Sequence, residues 1–158
     1  MTIVKNLIVL LCLAGCFAAC KNKDFNEEQQ FKTDTTLIRK FITDNAIPAK
    51  KDEKTGLFYQ ILEPGQGQFN YTLSTTVSAQ YVGKLLNGTQ FDASKSGQDF
   101  TFALGQVIPG WQFGVPFVQK GGKIRLLIPS LLAYKNQQTG PIPPNSVLDF
   151  TLTVTNLK

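Results

Sequence analysis

The side chains that usually shuttle protons or attack carbonyls are scarce in this chain. It has no histidine, and its three cysteines, Cys12, Cys16 and Cys20, all lie within the first twenty residues. A Ser-His-Asp or Cys-His relay is therefore excluded, most zinc sites go with it, and neither a metal nor a cofactor is expected. What the chain has in quantity is aromatic: 12 Phe and 4 Tyr beside a single Trp. The chemistry open to such a set is enclosure, in which rings grip an apolar group and take it out of water. Taken singly, Phe91, Phe100, Phe102, Phe150 and Trp111 read as ordinary core, so any argument must come from their order along the chain.

The elements around these rings can be read from patterning. Residues 1–19 carry one lysine, Lys5, and then an apolar run from Leu7, the layout of a secretory signal peptide too short to span a bilayer comfortably. With every cysteine in or beside this segment, neither a disulfide framework nor a thiol catalyst belongs to the folded part. The cysteines read instead as processing signals. Leu13-Ala14-Gly15-Cys16 resembles the lipobox cut by bacterial lipoprotein signal peptidase, and Phe17-Ala18-Ala19-Cys20 is a looser match with a fuller apolar stretch before it. Cys20 is the expected lipidated residue, with Cys16 as the alternative. Neither is followed by Asp, a residue that often retains lipoproteins at the inner membrane, so the expected location is the outer membrane of a bacterial envelope.

The formal charge is +5, from 16 Lys and Arg against 11 Asp and Glu. Lys50, Lys51, Lys84, Lys95, Lys120 and Lys123 are scattered rather than clustered with aromatics, which argues for solvated surface and against a nucleic-acid partner.

Residues 20–33 are polar and read as a flexible tether. Residues 34–55 read as a helical extension and linker. Asp34 is the candidate N-cap, and Leu37, Ile38, Phe41 and Ile42 share one face of a helix that stops near Asn45, before Pro48. That helix either packs on the main domain or joins two copies of the chain, and the oligomeric state stays open. The globular domain spans 56–158 and opens on a strand at 56–62, closed by Pro64, Gly65 and Gly67. Further strands are expected at 77–85, 89–92, 100–104, 123–128 and 147–157, with Asn87-Gly88 as a two-residue hairpin turn and one helix over about 110–118. The class is α+β, an antiparallel β-sheet wrapped around one short helix, with an N-terminal helical extension. The loop at 134–146 is long, and Pro141, Pro143 and Pro144 stiffen it, which favours a functional role over disorder.

The motifs now fall into an order. They run Tyr81-Val82-Gly83-Lys84-Leu85, Asn87-Gly88-Thr89-Gln90-Phe91-Asp92, Phe100-Thr101-Phe102, Leu104-Gly105-Gln106-Val107-Ile108-Pro109-Gly110-Trp111, Ile128-Pro129-Ser130, Ala133-Tyr134, Ile142-Pro143-Pro144-Asn145 and Leu148-Asp149-Phe150. In sequence and spacing this resembles the FKBP-type peptidyl-prolyl cis/trans isomerases, from about Gly56 to Lys158.

The resemblance implies an isomerase that assists the folding of exported proteins and takes unfolded or proline-containing polypeptides as partners. It implies a proline pocket whose catalytic residues are Tyr81, Phe91, Asp92, Trp111, Tyr134 and Phe150, with Phe100, Val107, Ile108 and Ile142 binding substrate. In it Trp111 forms the floor, the Ile108 N–H and the Tyr134 hydroxyl bind substrate carbonyls, and Asp92 orients polar groups at the rim. Such a catalyst needs no acid, base or nucleophile, so the missing histidine does no harm. Two positions depart from the pattern. Lys135 stands where relatives commonly have Gly after Ala-Tyr, a place where positive φ strains a lysine, and Phe113 stands where an acidic residue often follows Trp-Gln. A non-catalytic module that binds proline segments or holds unfolded chains in the same groove is the competing reading, and a structural envelope lipoprotein is a third.

Overall fold

The computed structural model describes residues 25–158. The signal peptide, both candidate lipidation sites and the first part of the tether lie outside the described residues.

Helix α1 spans Glu27–Asp44, so its cap lies eight residues before the one expected at Asp34. The cap is Asn26, whose side chain accepts from the Gln29 N–H at 2.9 Å, and Glu27 and Glu28 place negative charge in the first turn. The stretch expected to be loose tether is therefore helical from residue 27. Asp34 is an interior helix residue with no exposed surface. The apolar stripe also differs from the expected one. Ile38 is fully buried whereas Leu37 is 48% exposed, because one residue of helix turns the side chain by about 100° off the stripe.

Seven antiparallel strands follow: β1 Lys50–Lys51, β2 Phe58–Glu63, β3 Thr76–Leu85, β4 Gln90–Ala93, β5 Phe100–Ala103, β6 Lys123–Ile128 and β7 Leu148–Leu157. The sheet order is β1-β2-β6-β7-β3-β4, with β5 pairing the other half of β3. Strand β1 falls in a stretch expected to be linker. It adds Lys50 and Lys51 as an edge to Tyr59 and Phe58. The turn between β3 and β4 is longer than the two residues expected. Leu85 and Thr89 pair across Leu86, Asn87 and Gly88, and of these only Gly88 takes positive φ, at 88°. That is the three-residue turn in which glycine alone meets the left-handed requirement.

Helix α2 is also shorter than expected, running Pro109–Gly114 and passing into a 3-10 turn over Val115–Phe117, where Pro116 withholds a backbone donor. It lies against β6 at close range. A Cβ on Gly110 would come within 2.5 Å of Ile128, and one on Gly114 within 2.6 Å of Leu126, so only glycines at this i, i+4 pair let the helix approach so near.

The strand alternation divides the sheet into two faces. Ile124, Leu126 and Ile128 of β6 and Leu148, Phe150, Leu152 and Val154 of β7 point to the α2 side, where with Trp111 and Val115 they form the main core. Leu127, on the opposite face of β6, joins Phe58, Val147 and Ile38 of α1 in a second cluster. Helix α1 thus packs on its own chain.

Candidate functional site

Trp111 sits in the first turn of α2, which the Ile108 carbonyl starts by accepting from the Trp111 N–H at 2.9 Å. Only 4% of the residue is exposed. Three strands bring rings to it. Tyr81 on β3 meets it edge to face at 5.2 Å between centroids, Phe150 on β7 at 5.1 Å, and Phe102 on β5 lies tilted at 5.2 Å. Phe100 stands edge-on to Tyr81 at 5.7 Å. Each such pair contributes about 0.5–1.5 kcal/mol beyond the area it buries, and flat rings held edge to face do not collapse onto one another.

The hollow left between them has a volume of about 290 Å³ and is lined by Tyr81, Asp92, Phe100, Gln106, Val107, Ile108, Trp111, Tyr134 and Phe150. Surface hollows of about 610, 550 and 330 Å³ are larger, but none has a tryptophan in its walls, and Tyr81 at the edge of the last is the single pocket ring they share.

Eight of the ten residues expected at the pocket therefore meet there, and two do not line it. Phe91 stacks edge-on behind Phe150 at 5.4 Å, and supports the wall from the rear. Gly83 makes room for this contact, since a Cβ there would come within 2.6 Å of Phe150 and 2.7 Å of Phe91. Ile142 is buried in the main core, where it anchors the long loop. Gln106 lines the cavity without having been expected. It ends the 3-10 turn Leu104–Gln106, and its place directly before Val107 was the available signal.

The rim is polar. The Tyr81 hydroxyl donates to Asp92 Oδ2 at 2.7 Å, and the Ala93 N–H donates to Asp92 Oδ1 at 2.9 Å. Burial, and then the hydrogen bond to Asp92, push the Tyr81 hydroxyl well above the usual tyrosine range. Burial and the Asp92 charge push Tyr134 in the same direction. Both hydroxyls therefore stay protonated at neutral pH and remain donors. Neither the Ile108 N–H nor the Tyr134 hydroxyl has a hydrogen-bond partner among the described residues. The Gln112 side chain donates to the Val107 carbonyl at 2.7 Å and so fixes the segment that carries Ile108. The Trp111 indole N–H is buried without a partner, which costs about 1–3 kcal/mol and places the ring ahead of its donor.

The loop after Tyr134 is ordered by its own hydrogen bonds. Gln137 N–H donates to the Tyr134 carbonyl, Thr139 and Ile142 exchange a pair, and Asn145 N–H donates to the Lys135 carbonyl at 2.8 Å. Lys135 takes φ of 54°, so the lysine does adopt the left-handed conformation that glycine would reach without strain. Phe113 points away from the cavity and is 41% exposed. Among the described residues no group of three or more Cys, Asp or Glu is placed to hold a metal ion.

An antiparallel sheet curled over a short helix, with an aromatic hollow floored by the one tryptophan and rimmed by tyrosines, defines a domain built to hold a small apolar ring beside polar backbone. The family described as FKBP-type peptidyl-prolyl cis-trans isomerase matches residues 69–155, and the chain belongs to that family. It is 43% identical over 109 residues to the FKBP-type peptidyl-prolyl cis-trans isomerase FkpA of Escherichia coli strain K12, covering 68% of this chain and 40% of that protein. It is 41% identical over 123 residues to the peptidyl-prolyl cis-trans isomerase Mip of Coxiella burnetii, covering 76% and 53%. The chain thus spans about half the length, or less, of these relatives. The crystal structure of FkpA from Escherichia coli superposes with a TM-score of 0.70 at 36% identity, over 83% of this chain and 62% of that one. A peptidyl-prolyl cis-trans isomerase from Pseudomonas syringae pv. tomato superposes with a TM-score of 0.67 at 31% identity, over 85% and 98%.

Proposed function

We propose that this chain is a peptidyl-prolyl cis/trans isomerase that accelerates folding of exported polypeptides in a bacterial envelope. The observation that carries this reading is the aromatic hollow over Trp111, with protonated tyrosine donors at its rim. Rotation about an X-Pro bond faces a barrier of about 18–20 kcal/mol because amide resonance must be broken. The planar amide is the more charge-separated form, so transfer from water into an aromatic enclosure disfavours it relative to the twisted one. Trp111, Phe150, Tyr81 and Phe100 enclose the pyrrolidine ring. The Ile108 N–H and the Tyr134 hydroxyl donate to substrate carbonyls on either side, and hold the chain still while the amide turns. Asp92 keeps the Tyr81 hydroxyl directed along the rim. Phe91 and Ile142 act behind this surface.

The finer organisation belongs to the same proposal. Residues 1–19 form a lipoprotein signal peptide, Cys20 or else Cys16 carries the lipid, and the isomerase domain occupies 56–158, reached through α1. Among the described residues no helix is long and apolar enough to cross a membrane. In this reading the lipid supplies the attachment. Labelling cells with a palmitate analogue decides between the cysteines. Incorporation should survive Cys16→Ser and vanish in Cys20→Ser; the reverse pattern moves the cleavage site, label in both single variants means either cysteine can serve, and an unlabelled wild-type chain removes this anchor.

The activity itself is tested on a protein whose refolding is limited by proline isomerisation. Catalytic amounts of the chain should speed the slow phase, and Phe150→Ala should lose most of that acceleration. Suppression of aggregation with no faster slow phase would make the groove a holdase instead.

A further inference from the structure

Helix α1 reaches the pocket loop at two points, and one of them is a buried carboxylate. Asp34 has no exposed surface, and neither has Ser130. Asp34 Oδ2 accepts from the Ser130 N–H at 2.7 Å and from the Ser130 hydroxyl at 2.6 Å, while Oδ1 accepts from the Gln30 side chain at 2.7 Å. Ser130 opens the 3-10 turn Ser130–Leu132, which leads through Ala133 to Tyr134 in the cavity wall. The Ser130 carbonyl in turn accepts from the Lys135 N–H at 2.8 Å, so the segment carrying Tyr134 is closed on itself at the residue Asp34 holds. One residue past Tyr134, the Lys135 ammonium lies 2.8 Å from Glu27, two helical turns before Asp34 on the same face of α1. Helix α1 therefore grips the chain on both sides of Tyr134, firmly at Asp34 and loosely at the exposed Glu27.

We propose that Asp34 is a positioning residue for the isomerase site: its carboxylate fixes Ser130 and, through the 3-10 turn, sets the Tyr134 hydroxyl at the distance a substrate carbonyl needs. A carboxylate buried with every hydrogen bond directed at one serine and one glutamine contributes little to stability that a well-packed apolar group could not, since its desolvation offsets most of the gain. What it adds is direction. Lys135 sits at positive φ, and a backbone held there needs surrounding contacts that over-determine it. Asp34 and Glu27 supply two of those contacts from outside the loop. The helix leading in from the N-terminal segment is thereby part of the apparatus that shapes the site.

This inference rests on the isomerase reading, and a double-mutant cycle on the full chain separates the two. Tyr134→Phe removes one hydrogen bond to substrate and should lower kcat/KM about fivefold. Asp34→Ala should lower it by a similar factor through the same bond. In the Tyr134→Phe background Asp34→Ala should then change kcat/KM less than twofold, because the group it positions is already gone. An undiminished fivefold loss in that background, or no loss in the wild-type background, overturns the proposal. If Asp34→Ala does not fold, Ser130→Ala, which removes only the hydroxyl's bond, takes its place in the cycle, with a loss of about twofold expected in the wild-type background and none beside Tyr134→Phe. A wild-type chain that fails to accelerate isomerisation sinks the functional reading alone. The positioning by Asp34 is then read from binding of a proline-containing peptide, followed by the fluorescence of Trp111, the one tryptophan. The same non-additivity in Kd supports it, and additive effects refute it.

Discussion

The two faces of one sheet are covered by helices in opposite ways. On the inner face, α2 lies so close that Gly110 and Gly114 are needed, yet the rings around Trp111 leave a hollow of about 290 Å³. On the outer face, α1 seals Ile38, Phe58, Leu127 and Val147 into a small closed cluster and adds polar ties around its edge. Arg125 there makes a two-point pair with Asp149, at 2.9 and 2.6 Å, and stands 5.7 Å from the centre of the Phe41 ring. Aliphatic side chains adapt to fill space, whereas planar rings held edge to face keep their spacing. The contrast teaches that the cavity is a product of side-chain shape, and that the closed face supplies the rigid platform on which an open one can be held.

The comparison breaks most readily at Phe150, which meets Trp111, Tyr81 and Phe91 together. Phe150→Ala should cost about 3–5 kcal/mol of unfolding free energy, measured by urea denaturation, and should remove activity from the molecules that remain folded. Leu127→Ala makes the complementary cut on the outer face. It should cost about 2–5 kcal/mol by the same measurement while the folded fraction keeps wild-type kcat/KM, since it leaves the Asp34–Ser130 contact, through which α1 acts on the site, in place. A loss of activity per folded molecule in Leu127→Ala would mean that the outer-face packing, and not the Asp34–Ser130 contact alone, shapes the site.

Alkaline titration gives a smaller effect of known sign. Burial raises the Tyr71 hydroxyl from about 10 to about 12, and Tyr81 and Tyr134 are shifted upward too. A raised folded value means the folded state keeps its proton when the unfolded chain has lost it. The stability these tyrosines contribute is thus complete below pH 10 and falls as pH climbs from there towards 12. Tyr71→Phe should flatten part of that fall in unfolding experiments followed against pH, and a slope unchanged by the substitution would remove Tyr71 as a cause. The smallest change is expected at Lys40→Ala, whose exposed partner Asp44 lies 2.7 Å away within α1. It should move unfolding free energy by no more than about 0.5 kcal/mol.

Much of the inner face was legible because its information is local. Strand β6 is readable from alternation alone, and the rings of β3, β5, α2 and β7 fall in a recognisable order along the chain. The errors have a common physical origin in what is not local. Nothing near Asp34 distinguishes an N-cap from a carboxylate buried against Ser130, a residue 96 positions away. Asn26 caps α1 from within a polar run that resembles a tether, so the helix start was hidden by composition. Phe91 and Ile142 sit one layer behind the cavity surface, and a motif names a residue without telling which side of a wall it occupies. Gln106 was overlooked for the opposite reason, being a polar side chain in a stretch read for its apolar members.

The central claim is that an aromatic enclosure over Trp111, with no proton relay, turns the X-Pro amide. Its most direct test is the cis/trans interconversion rate of a proline-containing peptide, measured by NMR exchange spectroscopy with substoichiometric chain, wild type beside Trp111→Leu. The account predicts interconversion well above the uncatalysed rate of tens to hundreds of seconds for the wild type, and at least a tenfold loss of that acceleration in the variant. Uncatalysed exchange with the folded wild-type chain, or full acceleration by a folded Trp111→Leu chain, would contradict it.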